Sequence, residues 1–333
     1  MRENQADWKA KELSSVDERI LKLLGLKGVR SENYISKKLG LNVATIKYHL
    51  KMLKKNHVIA NERWRLNRIA LGFPASAWVF LVLRRGSYYR NVMNELLKYP
   101  EVKIVFFIGE DYDLCAKVIG KNQEEIMKKI FKIENECKQF LRNSAIVFSA
   151  KVFKNHNIEI KDVEPAALDN TDIEILKLRT TEPEIKIAEM AKRLKVHRNT
   201  VSGKWQDFVK NKIVLKKSVI INPDYYYFAN VGFTVLMVID TEIGMAEKLA
   251  KELMQYDEVH ELTRVASQND LFALVRTNSL KNFMEFHRKV YMNHAIASHI
   301  VRLKNRVVLD AISNDLNHSY ELEKLSHGKN HLR

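Results

Sequence analysis

Lysine and arginine side chains are concentrated in two short stretches of the sequence. Nine of them lie between Ser31 and Arg68 against two acidic residues, and ten lie between Lys186 and Lys217 against two. These 70 residues therefore carry +15 of the formal net charge of +16, and the other 263 residues carry only +1. Such concentration is typical of a phosphate-binding surface, so duplex DNA is the predicted partner.

Polar and basic residues in both stretches flank apolar residues that recur with helical spacing, as Ile46, Leu50 and Leu53 do in the first. They therefore lie on the solvent face of a helix, where side chains reach base edges and phosphates. A lysine-rich face that is merely solvated is the alternative. The candidate DNA-binding residues are Asn42, Ala44, Thr45, Lys47, Tyr48, His49, Lys51, Arg63 and Arg65 in the first stretch, and Arg198, Asn199, Thr200, Ser202 and Lys204 in the second.

The two stretches belong to an internal repeat. At an offset of 155 residues, Asp17 to Leu24 aligns with Asp172 to Arg179, and the alignment continues through Leu53 with Phe208. Farther on, Tyr99 to Val118 aligns with Tyr256 to Val275 at an offset of 157. Self-similarity at a fixed period indicates a duplicated structural unit.

Three short amphipathic helices open each unit. Gly40 lies between the second and third, where a tight turn favours a positive φ, and Asn42 is a suitable N-cap for the third. This pattern is typical of a helix-turn-helix. Residues 58–60 and 64–66 predict a hairpin wing, from which Arg63, Arg65 and Arg68 would contact phosphates while Trp64 is buried.

After each wing, strand-like runs alternate with two helices in the order β-α-β-β-α-β, which predicts a ferredoxin-like sandwich. The predicted fold class is α+β, with two winged helix-turn-helix domains alternating with two ferredoxin-like domains. The expected boundaries are a first winged helix at 1–68, a first ferredoxin-like domain at 69–155, a linker at 156–168, a second winged helix at 169–223, a second ferredoxin-like domain at 224–312 and a polar tail at 313–333.

This arrangement resembles the leucine-responsive regulatory protein and asparagine-regulator (Lrp/AsnC) family of transcription factors. The segment from Gly40 to Ile59 is similar to the family's recognition-helix region, and Leu71 with Gly72 matches its Leu-Gly before the first sheet strand. Gly109, Asp111 and Asp113 match its effector-domain turn. The resemblance covers nearly the whole chain, twice over.

The resemblance implies DNA binding by the winged helix, and dimerisation with further assembly through the ferredoxin-like domain. It also implies an amino-acid effector at Gly109, Asp111 and Asp113, although such a cluster is also ordinary turn chemistry. The second turn, Ala266 to Asp270, lacks the glycine. Because both units lie on one chain, and each sheet has an apolar face that its own helices leave uncovered, we expect an intrachain pseudo-dimer and further homo-oligomers.

An enzyme is the main alternative, because sirohaem decarboxylases resemble the same paired fold. They would need basic and histidine residues around a tetrapyrrole pocket, whereas the strand run from Ala75 to Leu83 is apolar. A chromatin-like DNA-coating protein is a further alternative. The positions of the basic residues favour a regulator that is not an enzyme.

The sequence predicts no cofactor, no metal and no membrane span. Its two cysteines, Cys115 and Cys137, lack zinc-site spacing and are expected to be buried thiols in a reducing cytoplasm. The first 20 residues are charged, which disfavours a secretory leader, and no apolar run is long enough to cross a bilayer.

Overall fold

The computed structural model describes residues 13–27, 31–161, 163–229, 231–314 and 318–328. Three helices open the first half, and a single strand follows them before the ferredoxin-like elements begin. In chain order these are α1 (Ser15–Lys27), α2 (Glu32–Leu39), α3 (Val43–Lys55), β1 (Ile59–Leu66), β2 (Ala75–Leu83), α4 (Tyr89–Leu96), β3 (Val102–Ile108), β4 (Leu114–Gly120), α5 (Gln123–Glu136), β5 (Leu141–Asn155) and β6 (Ile158–Glu159).

The second half repeats this order up to its last long strand, with a 3₁₀ turn at Pro223–Tyr225 before its ferredoxin-like part, a short added helix before that strand and a further helix after it. Its elements are α6 (Asn170–Thr181), α7 (Ile187–Leu194), α8 (Arg198–Lys210), β7 (Val214–Ile221), β8 (Phe233–Thr241), α9 (Ala246–Leu253), β9 (Val259–Ala266), β10 (Leu271–Thr277), α10 (Leu280–Met292), α11 (His294–Ala297), β11 (Ile300–Ser313) and α12 (Ser319–Gly328). The predicted duplication and fold class are confirmed.

The tight turns of both helix-turn-helix units have the backbone geometry that the sequence predicts for the first. Gly40 has a φ of +66°, and Lys195, the equivalent residue of the second half, adopts +53° although it carries a side chain. The Asn42 side chain accepts a hydrogen bond from the backbone N–H of Ala44 at 2.8 Å, which caps α3 as predicted. The second helix of each module therefore ends in a left-handed turn, and α3 is capped at its N-terminus.

The predicted hairpin wing is wrong. Residues 59–66 form one continuous strand, β1, which pairs antiparallel with β7 of the other half. Ile59 and Ile221 pack in the core of the first helical module, whereas Leu66 and Val214 pack in the core of the second. Each wing strand thus begins in its own module and ends in the other, because β1 and β7 supply the backbone hydrogen-bond partners of each other.

Each ferredoxin-like domain has the four-stranded antiparallel sheet that its βαββαβ order predicts. The strand orders are β5-β2-β4-β3 in the first half and β11-β8-β10-β9 in the second. Helices α4 and α5 cover the outer face of the first sheet, and α9 and α10 cover the outer face of the second. The inner faces are left to pack against each other.

The last strand of each domain joins the two sheets. The first part of β5 pairs with β2 and its last part pairs with β9, while β11 pairs first with β8 and then with β3. Eight strands therefore close into a continuous ring. These strands have 15 and 14 residues, longer than the sequence predicts, because their ends are stabilised only by pairing with the other half.

An apolar core lies between the two sheets. Trp78, Phe80 and Phe106 of the first half pack with Leu236 and Phe272 of the second, and all five are at most 4% exposed. Burial of this surface favours the paired arrangement by the hydrophobic effect. The expected intrachain pseudo-dimer is therefore confirmed by strand pairing and by side-chain packing.

The segment 313–333, expected to be a polar tail, instead contains helix α12. Tyr320 and Leu322 are buried in the core of the second helical module. Glu321 is 1% exposed, and its carboxylate accepts a hydrogen bond from Lys103 at 2.8 Å. The apolar residues of this helix are too few for its sequence alone to indicate packing.

Candidate nucleic-acid interface

Helix α3 presents a polar and basic face to solvent. Ile46 and Leu53 are buried against α1 and α2, which leaves Ala44, Lys47, Tyr48 and Lys51 exposed. Tyr48 is 61% exposed, so its side chain is accessible to a partner. Thr45 is half-buried beside Ala44.

Helix α8 presents a different set of side chains at the equivalent positions. Arg198, Asn199 and Thr200 are exposed in its first turn, and Ser202 is half-buried. The ring of His197 caps this helix by accepting a hydrogen bond from the N–H of Asn199 at 3.2 Å. The helix continues through Gly203, so the glycine does not interrupt it.

Two of the candidate DNA-binding residues contact aspartates within their own modules. His49 lies 2.8 Å from the carboxylate of Asp17 in α1. Lys204, the equivalent of His49, donates hydrogen bonds to Asp169 and Asp172 at 2.7 Å each. Because Asp172 is the equivalent of Asp17, the repeat preserves one contact that joins each recognition helix to the first helix of its module.

The structure does not place the wing arginines on the outer surface that a phosphate contact requires. Arg65 is 7% exposed and Arg63 is half-buried, and both line an internal cavity. Arg68 donates hydrogen bonds to the carbonyl oxygens of Phe73 and Ala75. The cause is the pairing of β1 with β7, which turns this strand inward. Trp64 is packed as predicted, with its ring centroid 5.0 Å from that of Trp205.

Ion pairs join the two helical modules next to the recognition helices. Lys54 lies 2.8 Å from Glu62 and 3.0 Å from Glu184 of the other module, and Lys217 also contacts Glu62. Burial favours the neutral form of Glu62, but hydrogen bonds from Lys217 and Lys54 outweigh this effect and lower its pKa. These bridges fix the modules relative to each other.

The candidate effector turn lies at the end of β3. The Asp113 carboxylate accepts a hydrogen bond from the N–H of Leu83 at 2.7 Å, and Asp270 makes the same bond to Thr241 in the other half. Asp113 therefore stabilises the first turn, and its equivalent Asp270 stabilises the second. The positive φ of +77° belongs to Glu110, whereas the φ of Gly109 lies outside the left-handed region.

Arg306 of the second half reaches the same turn, a contact that the sequence did not indicate. Its guanidinium lies 5.4 Å from the ring centroids of Phe80 and Tyr112, and 3.7 Å separates it from the carboxylate of Asp111. Within the described ranges, its Nε and Nη1 atoms are buried and make no hydrogen bond. Asp111 is 70% exposed, so a buried cation and an accessible anion lie side by side.

An internal cavity lies between the two wing strands and the ring of sheet strands. It has two parts of about 200 and 770 Å³, which share Arg63, Arg65, His156, His260 and Arg276 in their walls. Over both parts the lining holds eight lysine or arginine residues, three histidines and three acidic residues. Both repeats contribute to it, so no local sequence motif marks it; Arg63, Arg65 and Arg68 are the basic residues of the first stretch that line it.

Other candidate sites are simpler. Cys115 and Cys137 are buried free thiols, as predicted. Among the residues that the structure describes, no group of three metal-ligating side chains comes together. Within those residues, no helix combines the length and apolar character needed to cross a membrane.

The helical modules define a class of protein, the winged helix-turn-helix DNA-binding proteins, and a family with that description matches residues 13–60. The chain is 34% identical over 114 residues to the HTH-type transcriptional regulator FL11 of Pyrococcus abyssi, and 33% identical to FL11 of Pyrococcus furiosus. Each match covers 34% of this chain and 75% of the relative. The chain therefore belongs to the Lrp/AsnC-type family of DNA-binding transcriptional regulators.

The two-unit architecture is similar to that of a solved structure over almost its full length. The siroheme decarboxylase NirDL superposes with a TM-score of 0.62 and 12% identity, covering 95% of this chain and 99% of that one. At this identity the likeness establishes a shared fold. Paired winged-helix and ferredoxin-like units therefore occur in both regulators and enzymes.

Proposed function

We propose that this regulator binds DNA through two unlike helix-turn-helix modules held in one chain, that it reads two different half-sites, and that it acts without catalysis. The observation that carries the proposal is the pair of exposed recognition-helix faces, which differ at equivalent positions. Lys47 and Tyr48 of α3 correspond to Ser202 and Gly203 of α8. Transcriptional regulators among its relatives support the non-enzymatic role.

The two helices differ most in the side chains of their first turns. Val43 and Ala44 correspond to Arg198 and Asn199. Arginine and asparagine make bidentate hydrogen bonds to guanine and adenine, whereas alanine offers only apolar contact. The N-terminal residues of a recognition helix lie nearest the bases, so the two modules have different base preferences.

We expect Arg198→Ala and Asn199→Ala to relax base preference in one half-site, each at a cost of about 1–3 kcal/mol for the preferred base. Selection from a random DNA library, followed by footprinting, measures this. Preference in the other half-site should not change. Arg193→Ala is the matched control, because Arg193 is exposed nearby on α7 but paired with Glu182 and Glu189. A palindromic footprint of the unaltered protein would contradict two unlike half-sites.

A small-molecule effector is the second part of the proposal. An amino acid presents a carboxylate and an ammonium group, and the first turn presents Arg306 beside Asp111. The Arg306 guanidinium pairs with the carboxylate, and Asp111 pairs with the ammonium. The second turn lacks a glycine, so we propose one such site per chain, near Gly109, Asp111 and Asp113.

Calorimetric titration of the full chain with a panel of amino acids tests this site. We expect one binding event per chain, which Arg306→Gln weakens at least roughly tenfold because it removes a charge-assisted hydrogen bond. Arg302→Gln is the matched control, since Arg302 lies on the same strand and is 65% exposed. Two equivalent events per chain, or binding that Asp111→Asn and Arg306→Gln leave unchanged, would refute the site.

The fold shared with siroheme decarboxylase, together with histidines around the internal cavity, favours one other candidate function, an enzyme acting on a tetrapyrrole. Incubation with iron-uroporphyrin III, followed by mass spectrometry, separates the two functions. We expect no loss of carboxyl groups from the tetrapyrrole. Footprinting at low protein concentration separates a specific regulator from a DNA-coating protein, which would protect DNA uniformly.

A further inference from the structure

The pairing of the two wing strands shows how the two helical modules are related. Arg63 of β1 lies directly opposite Ser218 of β7 in an antiparallel pair. These residues are 155 apart in the sequence, the offset at which the two repeats align, so each is the equivalent of the other. An approximate two-fold axis therefore passes between Arg63 and Ser218 and relates the two recognition helices. A protein with this symmetry reads two half-sites in inverted orientation on the duplex.

A wing residue of the first half packs against the recognition helix of the second. The ring centroid of Trp64 lies 5.0 Å from that of Trp205 on α8, and the two rings meet edge to face. The indole Nε1 of Trp64 donates a hydrogen bond to the carbonyl oxygen of Pro183 at 3.1 Å, in the connection between α6 and α7. The guanidinium of Arg179 lies 5.7 Å from the Trp64 ring centroid and 4.9 Å from that of Trp205. The position of α8 therefore depends on a side chain that the other half supplies.

The other recognition helix is supported at the equivalent positions by smaller side chains. Val219 is the equivalent of Trp64, and Leu50 on α3 is the equivalent of Trp205. Both are partly buried and pack against the core of the first helical module. Each recognition helix thus shares a core with a wing residue from the opposite half. Close packing of this kind resists displacement of either helix.

Ion pairs reinforce this packing at the C-terminal end of α3. Lys54 lies 2.8 Å from Glu62 on β1 and 3.0 Å from Glu184 in the connection between α6 and α7. Lys217 on β7 contacts Glu62 from the opposite strand. The Glu62 side chain is 11% exposed, so its ion pairs are screened by salt less than pairs on the outer surface are. The connection between α6 and α7 therefore contacts the end of α3 as well as the wing.

We propose that Trp64 and Glu62 are positioning residues that fix the separation and relative rotation of the two recognition helices. The protein therefore accepts only one spacing between inverted half-sites, although neither residue contacts DNA in this role. One added base pair shifts a half-site by about 3.4 Å and rotates it by about 35° around the duplex axis. Two modules that share wing strands and cores cannot follow that change without a cost in packing or in DNA deformation. The proposal rests on the proposed recognition of two half-sites.

A flexible connection between the modules would give a different result. Modules joined by a flexible linker bind two sites over a range of separations, and the gain in affinity varies gradually with distance. Here the modules are joined by a hydrogen-bonded strand pair and by side chains in shared cores. A steep dependence of DNA affinity on half-site spacing therefore distinguishes the two arrangements.

Fluorescence anisotropy of the full chain on labelled duplexes tests the proposal. The duplexes carry the two half-sites obtained by selection from a random library, with their spacing changed by one or two base pairs in either direction. We expect a change of one base pair to weaken binding at least roughly tenfold, because only one module then fits its half-site. Duplexes with one half-site alone give the affinity of each module separately.

Substitution of the positioning residues should reduce this spacing penalty. Trp64→Leu and Glu62→Gln should each lower the penalty by roughly threefold, because each removes a contact between the modules. The affinity for single half-sites should not fall, whereas a variant that was merely destabilised would bind them more weakly. Trp64→Phe keeps the aromatic packing and removes only the hydrogen bond to Pro183, so it should have a smaller effect than Trp64→Leu.

Glu182→Gln is the charge-matched control for Glu62→Gln. Glu182 pairs with Arg193 of its own module, so this variant should keep the full spacing penalty. Equal affinity at every spacing, a penalty that Trp64→Leu and Glu62→Gln leave unchanged, or selected half-sites in direct orientation would overturn the positioning role alone. If a second half-site adds no affinity at any spacing, the proposed recognition of two half-sites fails, and this proposal fails with it.

Discussion

DNA affinity should fall by roughly 10³- to 10⁵-fold between about 50 and 200 mM salt, if the two modules neutralise about six to ten phosphates. The reason is that each phosphate contact releases a condensed counterion, and the entropy of that release falls as bulk salt rises. Most of the net charge lies in the two helical modules, so this contribution dominates nonspecific affinity. Fluorescence anisotropy with a labelled duplex, repeated over a salt series, measures the slope.

Single substitutions show which residues contribute to this dependence of DNA affinity on salt. Lys47→Ala and Lys51→Ala should each lower the affinity for all DNA sequences. Each should also reduce the slope of affinity against salt by the contribution of about one phosphate contact. Changes at Thr45 or Tyr48 should instead alter sequence preference. Lys121→Ala is the control, because Lys121 is exposed on the ferredoxin-like domain. An affinity that does not depend on salt, or no DNA binding, would contradict the assignment.

Not every basic residue of the two stretches contributes to this surface. Arg65 faces the internal cavity, Lys204 is paired with two aspartates, and Lys54 bridges the modules. The charge count alone therefore overstates the number of cations that DNA can reach. Exposed basic residues remain on the recognition helices, among them Lys47, Lys51 and Arg198, and also on α2 and α7.

Features encoded within a few residues could be predicted from the sequence. The turn at Gly40 and the cap at Asn42 depend on neighbouring residues, and the helix faces follow from apolar spacing. The duplication was visible because its offset is nearly constant. The ferredoxin-like order followed from the change in periodicity after each wing.

Features that depend on distant partners could not be predicted. Residues 58–66 have a pattern compatible with a hairpin, and only the position of β7 decides that they form one strand. The contact of His49 with Asp17, and of Lys204 with Asp172, brings together residues 32 apart in each repeat. The cavity requires Arg63 and Arg276 to meet across the two halves. Such contacts cannot be predicted from local sequence patterns.

A fragment of residues 1–155 should self-associate, because the cut exposes surfaces that the second half covers. Trp78, Phe80 and Phe106 lose their apolar partners, and strands β1, β3 and the end of β5 lose their hydrogen-bonded neighbours. Unpaired strand edges beside an apolar face promote association. Sedimentation measured over a range of concentrations would detect dimers or larger assemblies.

The form of that dimer follows from the repeat. In the whole chain β1 pairs with its own equivalent β7, and β5 pairs with β9, the equivalent of β3. Two identical fragments can make all of these pairings at once, with the same surface on each copy, so a symmetric dimer is expected. Phe106→Lys should weaken it by placing a charge in the core between the sheets. Lys98→Ala, at an exposed position on the first domain, should not. A fragment that stays soluble and strictly monomeric at high concentration would show that the first half does not need the second to cover its sheet.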